Sequence, residues 1–294
     1  MRPMATGEKL RKLGIAAGSG PLPEALADAA LAAGREVFVV GIEGAAEKGI
    51  ERFPHAWVRI GAMGEFLRLL KENGCEDIVL IGGVKRPSLA AIFPDKTGRQ
   101  LMPRVARWLM QGDDGLLRGL AGYFEKEHGF RVIGAHEVAE ELLAPEAVLT
   151  RVAPTDAQQA DIDIAIRAAL AIGALDIGQG AVACRGVILA LEAAEGTDRM
   201  LERVRTLPAE MRGQDAAREG VLVKLAKPGQ ERRLDLPTIG VRTVENVVAA
   251  GLAGIAVEAG GALIVDGEAV ARAANKAGIF VAGIGRGRIE KCRP

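Results

Sequence analysis

The sequence predicts an α/β protein of two domains, the first built on a parallel sheet. Three observations carry this. Short apolar runs alternate with helical patterns through the first half, as in a parallel sheet covered on both faces. The chain has 294 residues, enough for two ordinary domains with filled cores. Between Glu140 and Gln159 the pattern loosens into ELLAPEAVLTRVAPTDAQQ, with two prolines and no clear period, which sets a boundary there. A domain over 1–145, a linker over 146–158 and a distinct C-terminal α/β domain over 159–294 are therefore expected.

The elements follow in order. KLGIAA reads as a strand, Gly18-Ser19-Gly20-Pro21 as a turn, and PEALADAALAAG as a helix ended by Gly34. VFVVGI is a second strand, FLRLLKENG a helix closed by Gly74, and DIVLIGG a buried strand. Pro103 to Lys126 reads as helical, and FRVIGAHEV returns as a strand. The second half opens with a helix over Asp156 to Ile172, for which Asp156 after Pro154-Thr155 is the cap signal. AVACRGVILALEA then reads as two strands about an Arg185-Gly186 turn, and GTDRMLERVRTL as a helix. A helix near VENVVAAGL precedes IAVEAGGALIVDG, which reads as a hairpin turning at Gly260-Gly261. AVARAANKAGIFVAGI closes the pattern as helix then strand, and no repeat of solenoid spacing occurs.

Composition excludes several classes. Lysine plus arginine equals aspartate plus glutamate, 38 against 38, so no general attraction for nucleic acid exists. Aromatic residues are 3%, too few for base-stacking platforms. Cys75, Cys184 and Cys292 lack metal-ligand spacing and suit a reducing compartment. The opening MRPMATGEKLRKLG lacks the apolar core of a signal peptide, and no run approaches the ~18 apolar residues of a membrane span, so a cytoplasmic setting is expected.

Several stretches could carry chemistry. IAAGSGPLPEA feeds Gly18, Ser19 and Gly20 into a helix, where backbone N–H groups can meet an anion. Pro23 stands where a dinucleotide fingerprint wants its third glycine, so a full NAD site is disfavoured. GGVKRP places Gly82, Lys85 and Arg86 just past a buried strand, the usual place for a ligand. His136 and Glu137 follow another strand, and GDDGLL offers Asp113 and Asp114. In LDIGQGAVACRGVILALEAAEGTD, Gln179 lies between glycines, Gly180 follows it, and Glu192 and Glu195 bracket two alanines. Gly196, Thr197 and Asp198 then open a helix that Thr197 or Asp198 would cap. In KLAKPGQERRLDLPTIG, Asp235 stands between leucines with Lys224, Lys227, Arg232 and Arg233 available for phosphate oxygens. Those cations, if near, hold its pKa at or below ~3.9, which suits metal binding or water orientation better than proton removal. Desolvation by Leu234 and Leu236 opposes that shift, and an Asp paired with a neighbouring Arg is the plainer alternative.

Eight stretches in fixed order resemble the LpxI-type UDP-2,3-diacylglucosamine pyrophosphatases of lipid A biosynthesis. They are KLGIAAGSGPLP, CEDIVLIGGVKRP, GDDGLL, FRVIGAHEV, LDIGQGAV, LALEAAEGTD, KPGQERRLDLPTIG and GIAVEAGGALIVD. The resemblance implies a Rossmann-like N-terminal domain, a distinct C-terminal domain, and a divalent cation, Mg²⁺ or Mn²⁺. It implies hydrolysis of UDP-2,3-diacylglucosamine to UMP and 2,3-diacylglucosamine 1-phosphate, water attacking the sugar-side phosphorus. The family's essential aspartate matches Asp235, its EGTD segment matches Glu195 to Asp198, and Glu192 joins Asp235 as a candidate metal ligand. A homodimer and peripheral contact with the inner membrane are implied with it. Glu231 stands where Asp is expected in many relatives. The alternative from another class is a non-catalytic UDP-sugar or nucleotide sensor.

Overall fold

The computed structural model describes residues 10–84, 92–214, 217–229 and 231–293. The chain divides into two compact units, Met1–Glu140 with Arg233–Asp235, and Glu141–Arg232 with Leu236–Pro294. Both are α/β.

Unit 1 runs β1 (Leu13–Ala17), α1 (Leu22–Ala32), β2 (Val37–Ile42), β3 (His55–Val58), α2 (Met63–Glu72), β4 (Asp77–Ile81), α3 (Lys96–Leu109), α4 (Gly112–His128), β5 (Arg131–Val132) and α5 (Ala135–Val138). Its strands form one parallel sheet in the order β3-β2-β1-β4-β5, the Rossmann half-sheet order. β1 is buried along its whole length, which is why its sequence, LGIAA, is an apolar run rather than an alternation. Gly34 and Gly74 end α1 and α2 at φ of 76° and 66°, a region that disfavours side chains. The region read as helical from Pro103 to Lys126 holds two helices, α3 and α4, separated before Gly112 at φ 85°. At the amino ends of the strands Asp77, fully buried, binds Arg35 and receives Nε and Nη2 of Arg131 at 2.9 and 2.6 Å. Burial lowers the Arg35 pKa, and Asp77 opposes that shift.

Unit 2 runs α6 (Asp156–Ala174), β6 (Gly180–Cys184), β7 (Val187–Leu191), α7 (Gly196–Arg205), β8 (Val221–Lys224), β9 (Thr238–Ile239), α8 (Val241–Ala249), β10 (Gly254–Glu258), β11 (Leu263–Ile264), α9 (Gly267–Ala277), β12 (Phe280–Ile284) and α10 (Arg286–Lys291). The cap of α6 is Thr155, not Asp156: its hydroxyl accepts from Gln158 N while Gln158 Oε1 accepts from Thr155 N at 2.9 Å. The sheet order is β12-β10-β8-β6-β7, with β12, β10 and β8 parallel and β6 and β7 antiparallel. The Arg185-Gly186 turn forms as expected, both residues at positive φ, and Asp161 accepts both N–H groups at 3.0 and 2.7 Å. One face of the sheet buries Leu222, Ile255 and Val257 with residues of α7, α8 and α9; the other buries Val221, Val223 and Ala256 against α6. The hairpin expected at Gly260-Gly261 does not form. β10 is an interior parallel strand between β8 and β12, while Leu263 and Ile264 pair with β9 in a separate two-stranded sheet. The stretch 146–158, expected as a linker, hydrogen-bonds to β12 through Leu149 N and Val281 O at 2.9 Å.

Candidate functional site

The loops after β1 and β4 meet where the strand order of unit 1 reverses, the position at which such sheets take ligands. A Cβ on Gly18 would lie 2.6 Å from Gly82 O, so only glycine allows this approach. The two loops are joined by a bridge between Ser19 and Gly83, and Ser19 Oγ also donates to Gly83 O at 2.9 Å. Gly18 N donates to Ile81 O, Ser19 N to Gly83 O, and Gly20 N to the Glu47 carboxylate at 3.2 Å. The turn expected to meet an anion thus gives its N–H groups to protein acceptors, one of them a carboxylate. Lys85 and Arg86 lie outside the described residues.

The tripeptide Arg233–Asp235 belongs to unit 1 although its sequence neighbours belong to unit 2. Two side chains hold it there. Arg233 Nη1 donates to Glu125 Oε1 at 2.8 Å and to Val132 O at 2.9 Å, and Leu234 is buried with Phe66, Phe124 and Val132. His136 stands beside it: a side chain at Gly134 would meet both His136 Nδ1, at 2.6 Å, and Arg233 Cα, at 3.1 Å. The absence of that side chain admits the imidazole, whose Nδ1 is buried without a hydrogen-bond partner among the described residues. Glu137 accepts from Gly134 N at 2.8 Å, fixing the same turn.

In unit 2 the carboxyl ends of β8 and β10 and the amino end of β6 share one edge, where Gly180 pairs with Lys224 and Lys224 with Val257. Three charged side chains are buried at this edge: Glu192 at 6%, Lys224 at 5% and Glu258 at 5% exposure. Buried charge is costly unless paired or liganded, so each calls for a partner. Glu192 N donates to Gly180 O at 2.9 Å, and its Oε2 lies 2.5 Å from where a Cβ of Gly180 would be. Gly178 likewise packs on the Glu192 backbone. The two glycines around Gln179 therefore make room for Glu192. Glu192 Oε1 accepts from Thr197 Oγ1 at 2.9 Å, while Glu192 Oε2 and Gln179 Oε1 are buried without hydrogen-bond partners among the described residues.

Neither Thr197 nor Asp198 caps α7. Thr197 turns to Glu192, and Asp198 accepts from Asn246 Nδ2 at 2.8 Å and pairs with Arg242 at 2.9 Å. Both sit inside the first helical turn, past Gly196 at φ 78°, so their hydroxyl and carboxylate serve neighbours instead. Glu195 pairs with Arg203 at 2.6 Å, and its carboxyl is held below the usual carboxylate range first by its own backbone N–H and then by that guanidinium, against burial. Lys227 pairs with Asp176 at 2.6 Å.

Glu258 was not a candidate from sequence. Its Oε1 accepts from Arg232 Nη2 at 2.6 Å and its Oε2 from Ala226 N at 3.2 Å. One carboxylate thereby clasps both ends of the loop that carries Lys227. Its only sequence signal was a charge closing the apolar run GIAVE.

The candidates fall in both units. Gly18, Ser19, Gly20, Gly82, His136 and Asp235 belong to unit 1, and Gln179, Gly180, Glu192, Glu195, Gly196, Thr197, Asp198 and Lys227 to unit 2. Among the described residues no three His, Cys, Asp or Glu side chains form a metal-holding group. Glu192 and Gln179 nevertheless supply oxygen donors of the kind Mg²⁺ takes, in the small number it needs when phosphates and waters complete its shell. No helix among the described residues is long and apolar enough to cross a membrane.

Residues 12–142 match the family model of the LpxI N-terminal domain and residues 145–282 that of the LpxI C-terminal domain. A similar protein, the UDP-2,3-diacylglucosamine pyrophosphatase LpxI of Caulobacter vibrioides, is 48% identical over 275 residues, covering 94% of this chain and 98% of that protein.

Proposed function

The chain belongs to the LpxI family, and from that premise we propose that it hydrolyses the diphosphate of UDP-2,3-diacylglucosamine to UMP and 2,3-diacylglucosamine 1-phosphate. It is a hydrolase acting on a phosphoric anhydride. The observation that supports the reading most is that Glu192 Oε2 and Gln179 Oε1 are buried without hydrogen-bond partners among the described residues, at the strand edge where the buried Lys224 also ends. A diphosphate with a divalent cation satisfies such an edge, because the cation takes hard oxygens and the phosphates take positive charge.

Glu192, with Gln179, would hold Mg²⁺ or Mn²⁺. When bound, the cation neutralises charge developing on the leaving UMP. Asp235 is the catalytic carboxylate: it orients the water that attacks the sugar-side phosphorus, and the anchors Arg233 and Leu234 keep its backbone in place. Thr197 holds Glu192 in one rotamer through Oε1, leaving Oε2 for its ligand. His136 and Lys227 are substrate contacts in this reading. Each sequestered acyl CH₂ adds roughly 0.8 kcal/mol, so an apolar acyl site dominates binding. A cytoplasmic homodimer touching the inner membrane belongs to the same proposal. The test is turnover of UDP-2,3-diacylglucosamine with and without chelator. UMP formed only with the divalent cation present is the expected result, and a folded protein that leaves the substrate intact overturns the reading.

A further inference from the structure

Lys224 is the last residue of β8, in the middle of the sheet, and 5% exposed. Its ammonium has three donors. One reaches Thr238 O at a long 3.3 Å, and among the described residues no carboxylate forms an ion pair with it. A buried ammonium held by one carbonyl is under-compensated, since burial of a charge is repaid by a close counter-charge or several good hydrogen bonds.

The register shows where that ammonium stands. Lys224 is paired with Gly180 across β6 and with Val257 across β10, and paired residues send their side chains to the same face. Leu222, two residues earlier on that face, packs with Ile255 and Val257. Gly180 has no side chain there, and Glu192 Oε2 occupies the vicinity of its missing Cβ. A buried cation and a buried carboxylate thus stand on one face, flanking a glycine, without pairing. Among the described residues each has unused bonding capacity, the carboxylate oxygen Oε2 entirely so.

We propose that Lys224 is a further substrate-binding residue: its ammonium binds a phosphate oxygen of the diphosphate at the edge that Glu192 shares. The proposal rests on the preceding reading for the identity of the anion. The site itself rests on the buried, under-bonded ammonium. An apolar residue of similar volume would suit the fold better, so the lysine is a cost to stability that an anion offsets.

The test is titration of wild type and Lys224→Met with inorganic diphosphate in the presence of Mg²⁺, by calorimetry, alongside thermal unfolding of both without ligand. A charge-assisted hydrogen bond to phosphate predicts a Kd for diphosphate roughly 10- to 100-fold weaker in Lys224→Met. The unfolding temperature is expected to hold or rise. A purely structural lysine gives the reverse pair, lower unfolding temperature with affinity retained, and that result overturns the proposal, as does a wild type that binds no diphosphate. Should Lys224→Met not fold, Lys224→Gln in the same titration decides by the same outcomes. Wild type that binds diphosphate through Lys224 yet leaves the UDP-sugar intact would sink the hydrolase reading and leave this site standing.

Discussion

Replacing Glu258 with glutamine keeps the side chain's shape and removes its charge. In the native protein one oxygen accepts from Arg232 at 2.6 Å and the other from Ala226 N at 3.2 Å. A glutamine can accept only one of these bonds, and its NH₂ then faces the second donor. Losing a charge-assisted hydrogen bond costs about 1.5–3 kcal/mol. The Arg232 side chain is 37% exposed and can turn to water, so the lower half of that range applies, about 2 kcal/mol. For a unit of this size that corresponds to about 4–8 °C in melting temperature. Arg232 is also the last residue of unit 2 before the chain reaches Asp235 three positions later. A looser departure point misplaces the carboxylate, and such misplacement lowers kcat by about tenfold or more while KM changes less. Calorimetric melting and steady-state kinetics of Glu258→Gln, Arg232→Gln and the double variant measure both effects. A coupling of about 1 kcal/mol or more between the two sites is expected. Additive single effects, or wild-type kcat in Glu258→Gln, would refute the clasp.

Two further outcomes follow from unit 1 and the thiols. Asp77→Asn leaves the buried Arg35 uncompensated at the amino ends of β1 and β4, and costs about 3–5 kcal/mol. Melting should fall by about 10 °C, while kcat at low temperature stays near wild type because the cluster lies at the strand ends opposite the Gly18–Gly82 turn. An Asp77→Asn protein of unchanged melting temperature contradicts that account. Burial raises the Cys75 and Cys184 thiols to about 11 and also raises Cys292, so none should react with iodoacetamide near neutral pH until the protein is denatured. Because these folded-state pKa values lie above the ordinary 9.0, their contribution to stability is complete below about pH 9 and declines as pH climbs toward 11. Rapid native alkylation at neutral pH would show the thiols are not buried.

The parallel core strands were legible because burial on both faces writes an apolar run, as in LGIAA and VFVVGI. The Arg185-Gly186 turn was legible because its chemistry is local. The Gly260-Gly261 hairpin was not real: two apolar runs about a Gly-Gly pair look alike whether the strands pair with each other or, as here, with β8, β12 and β9. Strand β3 was missed because HAWV is four residues at a sheet edge, half-buried and without a strong period. At the candidate site the GQG and EGTD stretches stood out, and the structure supplies a reason that sequence could not: Gly178 and Gly180 clear space for Glu192, and Thr197 bonds it. The grouping of Asp235 with unit 1 depends on Arg233 reaching Glu125 and Val132, contacts about a hundred residues apart in sequence, which no local pattern encodes.

The most direct test of the account is hydrolysis of UDP-2,3-diacylglucosamine with Mg²⁺ in ¹⁸O-labelled water, comparing wild type with Asp235→Ala. The expected result is label in the phosphate of 2,3-diacylglucosamine 1-phosphate, unlabelled UMP, and a loss of turnover of about a hundredfold or more in a variant that still folds. Label in UMP would place the attack on the other phosphorus, and wild-type turnover by Asp235→Ala would remove Asp235 as the catalytic carboxylate.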